Sequence, residues 1–314
     1  MGNVRAVRED EAVSPRPPED VASAEGVSIV IPCYNEENGV APTLDELVRV
    51  IDEELSRLCP IEVLIVDDGS TDQTAARIEP FLGERVRLIR HPQNRGYGAS
   101  IKSGVREARY DWILITDADG TYPNEHIPEL LAHRTTHDMV VGARTGKVSA
   151  VPLIRRPPKW VLRKLASALS GFPIPDLNSG LRLMRKERLV EYERILPNGF
   201  SYTTTITIAM ISAGNPVKYI PINYLKREGR SKIRPIADTL NFLRLIVRTV
   251  MYFDPLRVFL PLALFFVVSA IGVGVGSYVW LGRVMDVTTV TLFVTGIHLL
   301  ALGMMADMLN RRIR

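Results

Sequence analysis

Asp117-Ala118-Asp119 and Asp67-Asp68 are the residues whose types and spacing most clearly invite chemistry. Each pair closes an apolar run, residues 112–116 for the first and 63–66 for the second. A buried strand that ends in carboxylates delivers them to the rim of a sheet. There a D-x-D pair can hold a divalent cation against a diphosphate, because hard cations take carboxylate and phosphate oxygens together. Two acidic strand ends close in sequence place one nucleotide site at the carboxyl edge of a parallel sheet.

The elements that must position these acids follow from periodicity. Residues 27–31, 63–66, 86–89, 113–116 and 139–142 read as strands. Helical spacing over 44–58 puts Leu44, Leu47, Val48, Ile51 and Leu55 on one face. Gly69-Ser70-Thr71-Asp72 turns into another helix, with Ser70 or Thr71 as its N-cap, and 99–108 forms a third. This β-α-β alternation predicts an α/β fold with a mostly parallel sheet, flanking helices and right-handed crossovers. Beyond Val151 the pattern loosens into proline-rich turns around a basic helix at 159–169, followed by a late strand over 217–225.

The chain has 314 residues and a net charge of +4, with no basic stripe interleaved with aromatics, so nucleic acid is not an expected partner. Cys33 and Cys59 are the only cysteines, have no metal-ligand spacing, and read as reduced thiols on the cytosolic side. Residues 1–26 lack an apolar core and read as a flexible tail. Residues 258–282 contain no charge, and 287–306 contain none beyond a protonatable His298. At about 1.5 Å per residue these reach roughly 37 and 30 Å, enough to cross a bilayer core.

Arg244, Arg248 and Arg257 precede this hairpin, and Arg311, Arg312 and Arg314 follow it. The positive-inside bias puts both termini and the N-terminal domain in the cytoplasm of an integral membrane protein. Asp238, Asn241, Arg244 and Arg248 share one face of an otherwise apolar helix, which reads as interfacial. Gly272 and Gly276 form a G-x-x-x-G that permits close helix packing, within the chain or in a homo-oligomer.

Seven motifs lie in order. They are Pro32-Cys33-Tyr34-Asn35-Glu36, Asp67-Asp68-Gly69-Ser70-Thr71-Asp72, Asn94-Arg95-Gly96-Tyr97-Gly98, Asp117-Ala118-Asp119-Gly120, Val141-Gly142-Ala143-Arg144, Asp176-Leu177-Asn178-Ser179-Gly180 and Gly229-Arg230-Ser231-Lys232. The series resembles the family-2 glycosyltransferases of GT-A fold. It is most similar to the branch of dolichol-phosphate mannose synthases and bacterial polyprenyl-phosphate hexosyltransferases. The resemblance implies a catalytic domain over 27–235, juxtamembrane amphipathic helices over 236–256 and two transmembrane helices within 257–314.

It also implies inverting transfer of a hexose from a nucleotide-diphosphate sugar to an undecaprenyl or dolichyl phosphate. Pro32, Tyr34, Glu36, Asp68, Asp117 and Ala118 match the nucleotide contacts. Asp117 and Asp119 match the pair that holds Mg²⁺ or Mn²⁺, with Asp119 the direct ligand. Arg144, Ser179, Arg230 and Lys232 match the acceptor-phosphate residues, so Asp117, Asp119 and Arg144 carry the catalytic expectation.

A phosphate oxygen is already ionised at neutral pH, so positioning and electrostatics can carry the step without a carboxylate base. Asp176 is accordingly expected to orient arginines or sugar hydroxyls. Relatives that make mannosyl lipids often have Leu-Gln after the D-x-D, where this chain has Gly120-Thr121. That favours UDP-glucose as donor over the GDP-mannose alternative. The basic segment with Arg155, Arg156, Lys159, Arg163 and Lys164 either faces the acceptor lipid or contacts anionic lipids. A processive family-2 enzyme would carry a Q-x-x-R-W segment, and none occurs. A non-catalytic membrane scaffold is the reading from another class, and intact Asp117, Asp119 and Arg144 speak against it.

Overall fold

The computed structural model describes residues 26–146, 156–225 and 235–313. The expected tail, up to residue 25, lies outside them. Seven strands form one sheet: β1 (Val27–Cys33), β2 (Ile61–Asp67), β3 (Val86–Arg90), β4 (Trp112–Ile115), β5 (Met139–Ala143), β6 (Arg182–Arg185) and β7 (Val217–Pro221). Their order is β3-β2-β1-β4-β6-β5-β7. Every pairing is parallel except those of β6, which runs antiparallel to both β4 and β5.

β1 and β2 are buried along their whole length, and their near-continuous apolar sequence is what a sheet covered on both faces requires. Alternation sorts their side chains between two cores. Ile29, Ile31, Val63, Ile65 and Leu114 face α1 (Val40–Glu53), whose Leu44, Leu47 and Ile51 complete that layer. The short α2 (Thr74–Ile78) adds Ile78 to the same layer. Val30, Leu64, Val66, Ile113 and Ile115 face α3 (Tyr97–Glu107), which contributes Ile101 and Val105. The first core also takes Leu130 and Leu131 from α4 (Ile127–Ala132).

After β5 come α5 (Arg156–Ser170), β6, α6 (Lys186–Glu191) and α7 (Tyr202–Ser212). Then β7 leads to α8 (Pro235–Phe253), α9 (Leu256–Leu281) and α10 (Asp286–Ile313). A third core joins α5, α7 and α8 through Leu162, Ala166, Ile208, Ile246 and Val250. The last two helices are long and apolar enough to cross a membrane. They pack on each other where Gly296 admits Val267 and Gly303 admits Phe259. Gly272 and Gly276 face open space, so the G-x-x-x-G does not make the contact within the chain.

Arg257 at the base of α9 donates from Nη1 to the Ser170 carbonyl and, at 3.4 Å, to the Leu169 carbonyl, closing the end of α5. Beside it lies a cavity of about 730 Å³ lined by polar Asp254, Asp307 and Asn310 and by apolar Leu256, Leu260 and Pro261.

Several boundaries differ from the sequence reading. α2 is capped at Gln73 rather than Ser70 or Thr71, and no side chain bonds there as a cap. Asp72 instead accepts from the Thr74 backbone N–H at 2.9 Å. The late strand stops at Pro221, and β6 is an addition that alternation did not reveal. A Cβ on Gly104 would sit 2.4 Å from Val30 Cγ1, so α3 lies tight against β1. Overpacking that contact with Gly104→Val lowers stability by about 1–3 kcal/mol. Gly83, with open space around it, serves as the control. Thermal melting of both variants checks this, and an unchanged Gly104→Val midpoint would count against the packing account.

Candidate active site

Because β6 runs antiparallel, the turn that precedes it arrives at the carboxyl edge of the parallel strands. That edge therefore collects the loops after β1, β2, β3, β4 and β5 together with residues 176–181. The loops after β1 and β2 are laced together through backbone donors. Asn35 N–H donates to Ser70 Oγ at 3.0 Å, Glu36 N–H to Thr74 Oγ1 at 2.8 Å and Glu37 N–H to Asp72 Oδ2 at 3.3 Å. In return Thr71 N–H donates to Asn35 Oδ1 at 2.8 Å and Gln73 N–H to Glu37 Oε2 at 3.1 Å. Asn35 adopts φ 53°, the one described non-glycine residue with positive φ, and its amide is what holds Thr71.

Pro32 is buried one residue before the end of β1, and Tyr34 and Glu36 stand half-buried beyond it. Burial, then the nearby Asp67, Glu36, Asp68 and Asp72 carboxylates, push the Cys33 thiol far above its usual value, so it is inert. Asp68 is buried and its oxygens are occupied by the protein. Oδ1 takes the Arg95 N–H at 2.9 Å and His91 Nδ1 at 2.6 Å, while Oδ2 takes the Gly96 N–H at 2.7 Å. In this arrangement Asp68 orders the loop that starts α3.

The D-x-D follows β4. Ala118 is buried, and its carbonyl accepts from Thr43 Oγ1 at 3.3 Å. Gly39 packs on the same peptide, where a Cβ would lie 2.9 Å from Ala118 O, so the β1 loop and the D-x-D form one wall. Asp117 Oδ1 accepts from Tyr97 Oη at 3.0 Å, and the Tyr97 ring stacks on Phe200 at 5.6 Å. Asp119 Oδ1 accepts from Thr121 Oγ1 at 2.6 Å, which fixes its rotamer. Both acids offer hard oxygen donors, and no group of three or more metal-ligating side chains occurs among the described residues. That set fits Mg²⁺ or Mn²⁺ held by one or two carboxylates, with diphosphate and water completing the shell.

Arg144 follows β5 and pairs with Asp176 through both ends of its fork, Nε to Oδ2 at 2.7 Å and Nη2 to Oδ1 at 2.8 Å. Its own backbone N–H adds a third bond to Oδ2 at 3.0 Å. The side chains are 13% and 11% exposed, and Arg144 also lies over the Tyr224 ring at 5.2 Å. Burial would push the Asp176 carboxyl up. The Arg144 guanidinium and the backbone donors of Arg144 and Asn178 outweigh it and hold the group well below the usual carboxylate range. Asp176 therefore orients an arginine, one of the two roles expected of it.

Tyr122 sits among these groups. Burial, followed by the fields of Arg144, Asp117 and Asp176, governs its hydroxyl, whose net shift is upward. Its oxygen accepts the Gly180 N–H at 2.7 Å. The structure thus gathers Asp117, Arg144 and Asp176 around one phenol. Ser179 does not join them as an acceptor contact. It has no exposed surface, and its single hydroxyl hydrogen goes to the Gly142 carbonyl at 2.5 Å. Arg230 and Lys232 lie outside the described residues. Tyr97, Tyr122 and Arg182 were not singled out in the sequence. Tyr97 stood in a recognised motif, whereas the other two carried no signal of periodicity or spacing.

The model of "Glycosyl transferase family 2" matches residues 28–192, and that of the "GtrB C-terminal hairpin" matches 254–311. A dolichyl-phosphate hexose transferase of Haloferax volcanii is 31% identical over 213 residues, covering 67% of this chain and 88% of the relative. An undecaprenyl-phosphate 4-deoxy-4-formamido-L-arabinose transferase of Pseudomonas fluorescens is 31% identical over 315 residues, covering 91% of this chain and 85% of the relative. The fold is shared with glucosyl-3-phosphoglycerate synthase of Mycobacterium tuberculosis, solved with Mn²⁺, UDP and phosphoglyceric acid. That match has a TM-score of 0.58 at 18% identity and covers 73% of this chain and 78% of the other.

Asp176→Asn leaves Arg144 buried against a neutral partner, and the expected cost is about 3–5 kcal/mol. Because the folded carboxyl titrates below its unfolded value, its contribution is complete above about pH 4 and is lost as pH falls further. Wild-type stability should thus show an acid-sensitive part that Asp176→Asn lacks. Melting midpoints between pH 7 and pH 3 measure this, and equal stabilities at pH 7 would refute it.

Proposed function

This chain belongs to glycosyl transferase family 2, and we propose that it moves a hexose from a nucleotide-diphosphate sugar to the phosphate of a membrane polyprenol. UDP-glucose is the favoured donor and undecaprenyl or dolichyl phosphate the acceptor class. The observation that carries the reading is the Arg144–Asp176 pair. A sugar hydroxyl needs a base to take its proton, and Asp176 is locked in a bidentate ion pair that keeps it ionised and weakly basic. A phosphate oxygen needs no base, and the positive charge of a guanidinium held in place by Asp176 suits it.

In this reading Pro32, Tyr34, Glu36 and the wall formed with Ala118 receive the nucleotide. Asp117 and Asp119 would hold Mg²⁺ or Mn²⁺, which supplies charge neutralisation to the departing diphosphate. Tyr97 and Thr121 keep the two carboxylates in place through their bonds to Asp117 and Asp119. Arg144, with Arg230 and Lys232, orients the attacking phosphate so that its oxygen approaches the anomeric carbon opposite the leaving group. Inversion follows from a single displacement. The names of the relatives support the acceptor class, and Gly120-Thr121 after the D-x-D supports the preference for glucose over mannose.

The two apolar helices anchor the protein in a bilayer, and the arginines flanking them favour a cytoplasmic catalytic domain and cytoplasmic termini. α8 lies along the inner leaflet in this arrangement, bringing the acceptor residues to headgroup depth.

Purified protein incubated with labelled UDP-glucose, GDP-mannose and other nucleotide sugars, Mg²⁺ or Mn²⁺ and undecaprenyl phosphate tests the reading. Sugar should appear on the lipid, and Asp119→Ala should abolish transfer while preserving the melting transition. Turnover by Asp119→Ala at the wild-type rate would remove the metal role, and no lipid product from any donor would remove the function.

A further inference from the structure

Arg182 is fully buried and the largest side chain without exposed surface, yet no acidic group among the described residues forms a direct ion pair with it, and Asp176 acts on it only at longer range. Other arginines tucked into the domain have such partners: Arg144 has Asp176, Arg87 has Glu62, and Arg185 and Arg188 share Asp138. A buried charge without a counter-ion is costly, and burial lowers the proton affinity of this guanidinium. An arginine nevertheless stays charged. What it binds is two backbone carbonyls and one hydroxyl. Nε and Nη2 donate to the Ser179 carbonyl at 3.0 and 2.6 Å, and Nη1 donates to the Thr203 carbonyl at 3.2 Å and to Thr207 Oγ1 at 3.0 Å.

The bonded carbonyl belongs to the turn that links the two halves of the site. Asp176, at its start, holds Arg144. Gly180, at its end, presses on Asp117, where a Cβ would lie 2.6 Å from Oδ2. In the sheet Arg182 pairs with Ile115, two residues before Asp117, and with Val141, three before Arg144. The same residue is therefore in register with both strands whose ends carry the chemistry.

We propose that Arg182 is the positioning residue of the donor site. Its guanidinium fixes the 176–180 turn, sets Asp117 against Gly180, and keeps a positive charge without a direct ion-pair partner behind the acidic strand ends. This rests on the nucleotide-sugar reading above. The unpaired charge is then complementary to a ligand that arrives carrying negative charge, so the missing counter-ion is the substrate itself.

The test compares wild type with Arg182→Lys and Arg182→Met, all full length in detergent, well below their melting midpoints. Calorimetry measures binding of UDP and of GDP in the presence of Mn²⁺, and kinetics separate the KM for donor from the KM for undecaprenyl phosphate. Arg182→Met is expected to weaken nucleotide binding about tenfold or more and to raise the donor KM while the acceptor KM holds. Arg182→Lys, which keeps the charge, is expected to recover part of the loss. A purely structural arginine would instead lower the melting midpoint and leave nucleotide affinity of the folded protein unchanged. If Arg182→Met does not fold, Arg182→Gln, which is also neutral, takes its place, and wild-type affinity and donor KM in that variant overturn the inference. Wild-type protein that binds neither nucleotide overturns the parent reading, whereas wild-type binding matched by both variants overturns this inference only.

Discussion

The buried ion pair between Arg144 and Asp176 is the contact on which the acidic sheet edge depends. Arg144 and Asp176 come from separate segments and meet only because β6 inserts antiparallel between β4 and β5. The insertion turns the 176–181 loop toward the edge where Asp117 and Asp119 already stand. Since an arginine side chain out of water is stable only with its donors satisfied, the pair also fixes the geometry of the turn. Placement of Arg144 and local stability thus depend on the same contact.

The opposite side of the site is built differently. The loops after β1 and β2 are joined by reciprocal bonds between backbone N–H groups and the side chains of Asn35, Glu37, Ser70, Asp72 and Thr74. Such a network leaves few soft torsions, so a nucleotide would meet a surface ordered before it arrives. Asp68 extends the order to the next loop by holding the Arg95 and Gly96 N–H groups. Tyr97, one residue on, then reaches Asp117. A chain of contacts runs from the second strand end to the metal-type carboxylates without a water-filled gap being needed to explain it.

The helical hairpin is not an independent appendage. Arg257 closes the C-terminal end of α5 by donating to the Ser170 carbonyl, where the helix leaves acceptors unsatisfied and its dipole is negative. The chain then turns through Gly171 toward Asp176. The base of α9 and the loop that holds Arg144 are consequently joined through the few residues that follow Ser170. An enzyme whose acceptor is a lipid headgroup would gain from such a link, because it couples the apolar hairpin to the loop that holds Arg144.

The amino-acid sequence determined the parallel sheet, its acidic strand ends and the two apolar helices. Those depend on local periodicity and on burial of whole strands, which a run such as Val63-Leu64-Ile65-Val66 states directly. It did not disclose β6. A central strand bearing Arg182 and Arg185 breaks the apolar pattern, and only its partners explain it: Ser179 and Thr203 carbonyls for one arginine, Asp138 for the other. Nor could residue type tell that Ser179 is spent on Gly142 and Asp68 on two backbone N–H groups, since hydrogen-bond capacity is visible in sequence but its use is not. Which polar groups remain for a ligand was decided by the tertiary structure, because that is where burial and competing donors are settled.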